Sequence, residues 1–308
     1  MNKRPVIICT DPGIDDFIAL TILLRQPQLD IRGMIALSGN VGLPVTVNNT
    51  LLAGELCGRT DVPVLAGSAK PLARPARTAS NIHGASGLGK SIERYSQRKP
   101  LTQDAAEFIV QTARQYPGEL ELISLGPLTD VARALRLDPG IAPLLRQIVV
   151  MGGGITRGNA TKFAEFNIVA DPEAADVVFS SGAPVVMIGL DATHQCLQPR
   201  SQIAEMSPDT ELGTMISRML NDYADMYARV HHLDGVVIHD AICALWLLQP
   251  ELFQAEPMRV KICLEDGEHL GQTVSVAEGA PVATVAMGLD AQAVARRIVA
   301  EVHRAASK

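Results

Sequence analysis

Long apolar runs are absent from this chain. After Met1-Asn2-Lys3-Arg4-Pro5 only the four residues 6–9 are continuously apolar, too few for the hydrophobic region of a secretory signal peptide. The most apolar later stretch, 236–248, is interrupted by His239 and Asp240, so no segment is expected to span a bilayer. Cysteine is sparse as well: Cys9, Cys57, Cys196, Cys243 and Cys263 are odd in number, widely scattered and without a C-x-x-C pair. That excludes a disulfide framework and a thiolate zinc site, and it reads as reduced thiols in a cytoplasmic protein. No block of Lys or Arg stands out, and 27 basic against 33 acidic residues leave a formal net charge of −6. A nucleic-acid partner is therefore not expected. Aromatic residues make up only 4%, with a single tryptophan, Trp246.

What is present is the material of a sizeable core, since 47% of the 308 residues are hydrophobic and 19% charged. The continuous apolar run 6–9 reads as a strand buried on both faces, and 31–37, 62–65, 120–124, 148–151 and 185–189 read as further strands. Helical patterns alternate with them: one opening at Asp15-Asp16 with Phe17, Leu20, Leu23 and Leu24 on one face, then 45–56, 104–115, 129–137 and 172–180. Further helices are expected at 212–228, 240–248 and from Ala291, with strands near Val260, Val274 and Val285. This alternation predicts an α/β protein with an open, mostly parallel sheet covered by helices on both faces, Rossmann-like, as one domain over 1–308. Residues 67–100 are the one long stretch without periodicity, which marks a functional or disordered loop.

Ligands of such sheets bind outside the carboxyl ends of the strands. The residues just beyond each expected strand are mostly carboxylates and carboxamides: Asp11, Asp15 and Asp16, then Asn40, then Leu125-Gly126-Pro127. Beyond residue 151 come Gly152-Gly153-Gly154, Asn159, Glu165 and Asn167, then Asp191 and His194, and later His239-Asp240. Three carboxylates within six positions repel one another unless a cation neutralises them, and oxygen ligands without thiols suit Ca²⁺ or Mg²⁺. Helix capping accounts for Asp15 and Asp16 equally well, so both readings stay open on these residues alone. The glycine run does not fit G-x-G-x-x-G, because Arg157 stands three after Gly154. An aspartyl-phosphate mechanism would want a carboxylate at Gly13. His194, His231, His232, His269 and His303 receive a structural role by default, whereas His83 and His239 sit in more chemical company.

Asp11-Pro12-Gly13-Ile14-Asp15-Asp16 resembles the D-x-D-P-G-x-D-D signature of the inosine-uridine type nucleoside hydrolases. Gly39-Asn40, Asn81-Ile82-His83-Gly84, Gly126-Pro127-Leu128-Thr129, Met151-Gly152-Gly153-Gly154, Ala164-Glu165-Phe166-Asn167, Gly189-Leu190-Asp191 and His239-Asp240 resemble further family blocks in the same order, over residues 6 to about 252. The resemblance implies hydrolysis of the N-glycosidic bond of a ribonucleoside to ribose and free base, through an oxocarbenium-like transition state. It implies a Ca²⁺ ion held by Asp11, Asp16, Asp240 and the backbone carbonyl of Leu125, with Asp11 as general base. Asp15, Asn40, Asn159, Glu165 and Asn167 fall where the family holds the ribose, and His83 on the base side. His239 is the candidate to protonate or polarise the departing base.

The same resemblance implies a small-molecule nucleoside as partner, with neither nucleic acid nor membrane, and a homo-oligomer, a tetramer in preference to a dimer. Base tolerance is expected to be broad or pyrimidine-leaning, since Trp246 reads as core and leaves no tryptophan to sandwich a purine. Tyr223 and Tyr227 are candidate base-side aromatics. The chain departs from the signature at Cys9, where the family has Asp. Side chains two apart on a strand share a face, so Cys9 is expected beneath Asp11 and near the metal, where an Asp would tighten binding. A non-catalytic nucleoside- or ribose-binding protein on the same scaffold is the competing expectation, which a base and an acid on opposite sides of one bond argue against.

Overall fold

The computed structural model describes residues 3–90 and 94–307; Met1, Asn2 and the side chain of His231 lie outside the described residues. Eight strands form one sheet in the order Val64–Ala66, Leu29–Ala36, Arg4–Thr10, Glu121–Ser124, Gln147–Met151, Val185–Ile188, Ala283–Leu289, Phe253–Met258. All neighbours are parallel except the last pair, in which Phe253–Met258 runs antiparallel at the edge. The α/β class and the open, mostly parallel sheet are as expected. The sequence pattern does not reveal the edge strand, because its residues are mostly exposed and include Pro257, which only an edge tolerates. The strands expected near Val260 and Val274 are real, but Val260–Ile262 and Thr273–Ser275 pair as a separate antiparallel ribbon.

Alternation along the first strand builds both halves of the core. Val6 and Ile8 face one apolar cluster together with helices Ile14–Leu24, Leu43–Leu56, Glu211–His231, His239–Trp246 and Ala291–Ala306. Ile7 and Cys9 face the other, with helices Ala105–Gln115, Thr129–Leu137 and Pro172–Ser180. Phe17, fully buried beneath the first helix, contributes roughly 1.5–3 kcal/mol by its burial alone. No helix among the described residues is long and apolar enough to cross a membrane.

Strand order reverses beside Arg4–Thr10: the chain moves outward to Leu29–Ala36 on one side and returns as Glu121–Ser124 on the other. Thr10 pairs with Ala36, and Cys9 with Ser124, so the three strand ends lie level. The residues just past these ends, Asp11 and Leu125 among them, meet at this switch point. A crevice opens there.

Candidate active site

The floor is made by the turn between the first strand and the first helix. Pro12-Gly13 ends the strand, and the helix Ile14–Leu24 starts with the Asp16 carboxylate bonded back to the amide of Gly13 at 3.0 Å. Asp16 also accepts from the Thr10 hydroxyl (2.6 Å), the Asp11 amide (3.1 Å) and Asn40 Nδ2 (3.0 Å). Asp11 accepts the Asn40 amide on Oδ2 at 2.6 Å, while its Oδ1 has no partner among the described residues; Asp15 Oδ1 is likewise buried and unpartnered. Asp240 arrives from the first turn of the helix His239–Trp246. One carboxylate oxygen each from Asp15, Asp16 and Asp240 lies within 4.8 Å of the others.

Glycine makes room for Asp11. A Cβ on Gly39 would stand 2.1 Å from Oδ2, and one on Gly126 would stand 2.0 Å from Oδ1. The electrostatic consequence of the arrangement is that all four carboxyl groups hold their protons more tightly than usual. Burial raises Asp11 well above the carboxylate range, with the charge of Asp16 next. Burial and then Asp16 push Asp15 up to about 8. Burial raises Asp16, against the bonds from Thr10 and Gly13, and burial followed by the charges of Asp15, Asp16 and Asp11 raises Asp240 well above its usual value. Capping explains the bonds of Asp16. It does not explain Asp240 converging from elsewhere or the orphaned oxygens of Asp11 and Asp15, and an all-oxygen donor set of this kind fits a hard divalent cation.

Beside the floor stands a wall of amides. Glu165 caps the helix Phe166–Ala170, accepting from the amides of Asn167 (2.9 Å), Ile168 (3.1 Å) and Gly153 (3.0 Å), and burial pushes it up to about 7. Asn167 Nδ2 donates to the carbonyls of Leu125 (2.8 Å) and Met151 (3.0 Å), which places the Leu125 carbonyl at the same crevice. Asn159, exposed, accepts the Phe166 amide at 2.9 Å. Two residues stand behind this wall: Asp191, which the sequence places just past a strand end, and Thr273, which carries no signal in the sequence as a site residue. Asp191 holds the amides of Ile155 (2.6 Å) and Thr156 (3.0 Å), and the Thr273 hydroxyl pins both the N–H and the carbonyl of Gly154 at 2.8 and 2.9 Å.

Across a cavity of about 900 Å³ lies an aromatic side. His239 Nδ1 is 2.8 Å from the Thr193 hydroxyl, and its Nε2 is 3.4 Å from the Tyr227 hydroxyl. The rings of Tyr223 and Tyr227 meet edge-on at 4.9 Å, and Tyr223 stacks obliquely on His83 at 5.6 Å. His83 accepts the Ile14 amide on Nδ1 at 3.2 Å, and burial lowers its pKa to about 4, so the ring is neutral near pH 7.

The cavity is lined by Asp15, Asn40, His83, Leu125, Asn159, Glu165, Asn167, His239 and Asp240. Asp11 and Asp16 lie in the floor beneath, bonded to Asn40. His194, given a structural role from the sequence, lines the cavity with its ring 5.3 Å from that of His239 and its Nδ1 3.2 Å from Arg157. Arg77, within the aperiodic 67–100 stretch, also lines it. Trp246 is half-buried at the end of its helix against Phe253, away from the cavity, so it offers the base no sandwich. Cys9 needs a correction. Its side chain packs in the apolar cluster with Ile7, Ile35 and Leu65, burial raises its thiol, and the charge that adds to this is Asp130, not the floor carboxylates.

Comparison with known proteins is consistent along nearly the whole chain. A family model described as inosine-uridine preferring nucleoside hydrolase matches residues 6–296. The chain is 38% identical over 277 residues, 89% of its length and 88% of the relative's, to the pyrimidine-specific ribonucleoside hydrolase RihB of Shigella sonnei. Among solved structures it is similar to the plant nucleoside hydrolase PpNRh1, with a TM-score of 0.93 and 32% identity over 97% of this chain and 99% of that one. It is also similar to a purine-preferring ribonucleoside hydrolase from Gardnerella vaginalis, with a TM-score of 0.93 and 29% identity over 98% and 99%.

Proposed function

The chain belongs to the inosine-uridine preferring nucleoside hydrolase family and is a ribonucleoside N-glycosyl hydrolase, and from that premise we propose a calcium-dependent reaction with Asp11 as general base. The observation that carries this reading is the buried carboxylate floor, with Asp11 Oδ1 orphaned, beside a cavity that Asp15, Asp240 and His239 line. Asp11, Asp16, Asp240 and the Leu125 carbonyl would hold the ion. Calcium, when bound, supplies positive charge that offsets these carboxylates and makes water a better acid. Asp11 takes a proton from the attacking water as the water oxygen bonds to C1′ of the ribose. The N-glycosidic bond breaks on the other side, its electron pair leaves on the base nitrogen, and His239 protonates or polarises the base.

Asp15, Asn40, Asn159, Glu165 and Asn167 hold the sugar hydroxyls and fix the ribose for attack. His83, neutral at physiological pH, meets the base as a hydrogen-bonding group rather than as a cation. Base tolerance is broad or pyrimidine-leaning: relatives named for pyrimidine specificity support it, as does the absence of a tryptophan at the cavity. A cytoplasmic homo-oligomer, a tetramer in preference to a dimer, completes the reading and is checked by light scattering.

The test is a panel of uridine, cytidine, inosine and adenosine incubated with protein and calcium, reading free ribose and base. Asp11→Asn should lower turnover by at least about 10²-fold, the lower end for losing a general base. Undiminished turnover in Asp11→Asn, or strict selectivity for purines, would overturn the assignment.

A further inference from the structure

We propose that Thr193 is a positioning residue for His239: its hydroxyl holds Nδ1 and so leaves the ring hydrogen on Nε2, the nitrogen 3.4 Å from the hydroxyl of cavity-lining Tyr227. This rests on reading His239 as the group that assists departure of the base. Thr193 is fully buried in the helical turn Leu190–Thr193, directly after the strand Val185–Ile188, with its amide bonded to the Gly189 carbonyl at 3.0 Å. Its hydroxyl is therefore placed by the sheet itself rather than by a loop.

The direction of each bond follows from the one member that can only accept. The Val237 carbonyl has no proton to give, and the Tyr227 hydroxyl lies 3.4 Å from it. A phenol has a single proton. With that proton turned to Val237, the Tyr227 oxygen can only accept from its other neighbours. His239 Nε2, 3.4 Å away, must then be the N–H side of the ring. A neutral imidazole has one N–H, so Nδ1 bears a lone pair, and the Thr193 hydroxyl 2.8 Å away is its donor. The bonds thus run from Thr193 to His239 to Tyr227 to Val237. Removing the first donor frees the hydrogen to settle on Nδ1, which leaves Nε2 with a bare lone pair.

Thr193→Val keeps the shape and removes the hydroxyl; Thr193→Ser keeps the hydroxyl and removes a methyl. Each is compared with wild type and His239→Ala on two substrates in calcium: uridine, whose base needs help to leave, and 4-nitrophenyl riboside, whose leaving group does not. Thr193→Val should lose about tenfold or more in kcat on uridine, the weight of one net hydrogen bond, and under threefold on the aryl riboside. Thr193→Ser should recover most of the uridine rate. A structural role would lower both substrates together and would not distinguish valine from serine. Wild-type uridine turnover in Thr193→Val, or equal loss on both substrates, while His239→Ala loses uridine selectively, would sink the Thr193 inference and leave the role of His239 standing. Equal loss on both substrates in His239→Ala would overturn that role, and this inference with it.

Discussion

Adding one methyl group at Gly126 should disable the enzyme without unfolding it. Neither Gly126 nor Gly39 has a left-handed backbone, so an alanine is not excluded by its φ; only space is at issue. A Cβ at Gly126 would come within 2.0 Å of Asp11 Oδ1, 2.6 Å of its Cγ and 3.2 Å of Leu37 Cδ1. The backbone there continues from the strand Glu121–Ser124, tied to the first strand by the Leu125 amide on the Cys9 carbonyl at 2.8 Å, so it cannot recede. The Asp11 side chain must swing away, breaking its 2.6 Å bond from the Asn40 amide. Such overpacking costs roughly 1–3 kcal/mol of stability, which a chain of this size survives.

The cost to catalysis is larger. With Asp11 displaced, the proposed general base and a proposed ligand of the ion move together, so Gly126→Ala should lose at least about 10²-fold in turnover, or about 2.7 kcal/mol of transition-state stabilisation, and bind calcium more weakly. Gly42→Ala is the control, because its nearest atom would be 4.0 Å away. The assay is uridine hydrolysis with calcium titration and thermal melts of wild type and both variants. A Gly126→Ala protein with wild-type turnover and calcium affinity would refute the claim that Asp11 works from this cradle.

Removing calcium with a chelator should abolish turnover and lower the melting temperature, since an ion at a hundred times its dissociation constant adds about 2.7 kcal/mol to the folded state. The chelated protein should also lose stability as pH rises from about 4.5 through 7 to 8. Glu165 and Asp15, raised by burial to about 7 and about 8, keep protons in the fold that the unfolded chain has already released, so stability is greatest below the unfolded value and falls through the folded one. Melts of chelated protein that rise over this range would contradict the buried floor. Cys9→Asp should lower the melting temperature without tightening calcium, because it sets a second carboxylate beside buried Asp130; Cys9→Asp with Asp130→Asn should recover part of the loss, and calcium titration checks the affinity.

Much of the fold and site is legible in the sequence because periodicity and strand ends are local. The runs at 6–9 and 148–151 and the acidic turn at Asp11, Asp15 and Asp16 announce buried strands and a site above them. The Leu125 carbonyl is a different case, since a backbone oxygen leaves no trace in residue type and only the family resemblance points to it. Thr193 and Tyr227 are obscured for another reason: their partnership with His239 joins a four-residue helical turn to the middle of a long helix, and no spacing rule links the two. Cys9 shows the limit of face arguments. Two-residue periodicity puts it on the side of Asp11, but the first strand ends at Thr10, and beyond it the Pro12-Gly13 turn redirects the chain. The thiol then answers to Asp130 and the apolar cluster.

The choice that residue types alone leave open, capping or metal, turns on magnitudes. Asp15 and Asp16 lie in the first turn of Ile14–Leu24, and Asp240 in the first turn of His239–Trp246. Each is therefore favoured by a helix dipole, worth about 0.3–1 kcal/mol at exposed sites and up to about 2 where partly buried. Taking a carboxylate out of water costs several kcal/mol per ion even after relaxation. Two helix dipoles cannot offset that for four buried carboxyl groups that also repel one another. Among the described residues no Lys or Arg bonds to the floor either: its hydrogen bonds come from Thr10, Asn40 and backbone amides, which share charge without cancelling it. The remaining routes are proton uptake, which the raised carboxyl values express, or a divalent cation. A floor of protonated acids could accept neither a ligand charge nor a proton from water. A cation restores the carboxylates and with them a general base, so the same imbalance that burdens the fold is what makes the site able to react.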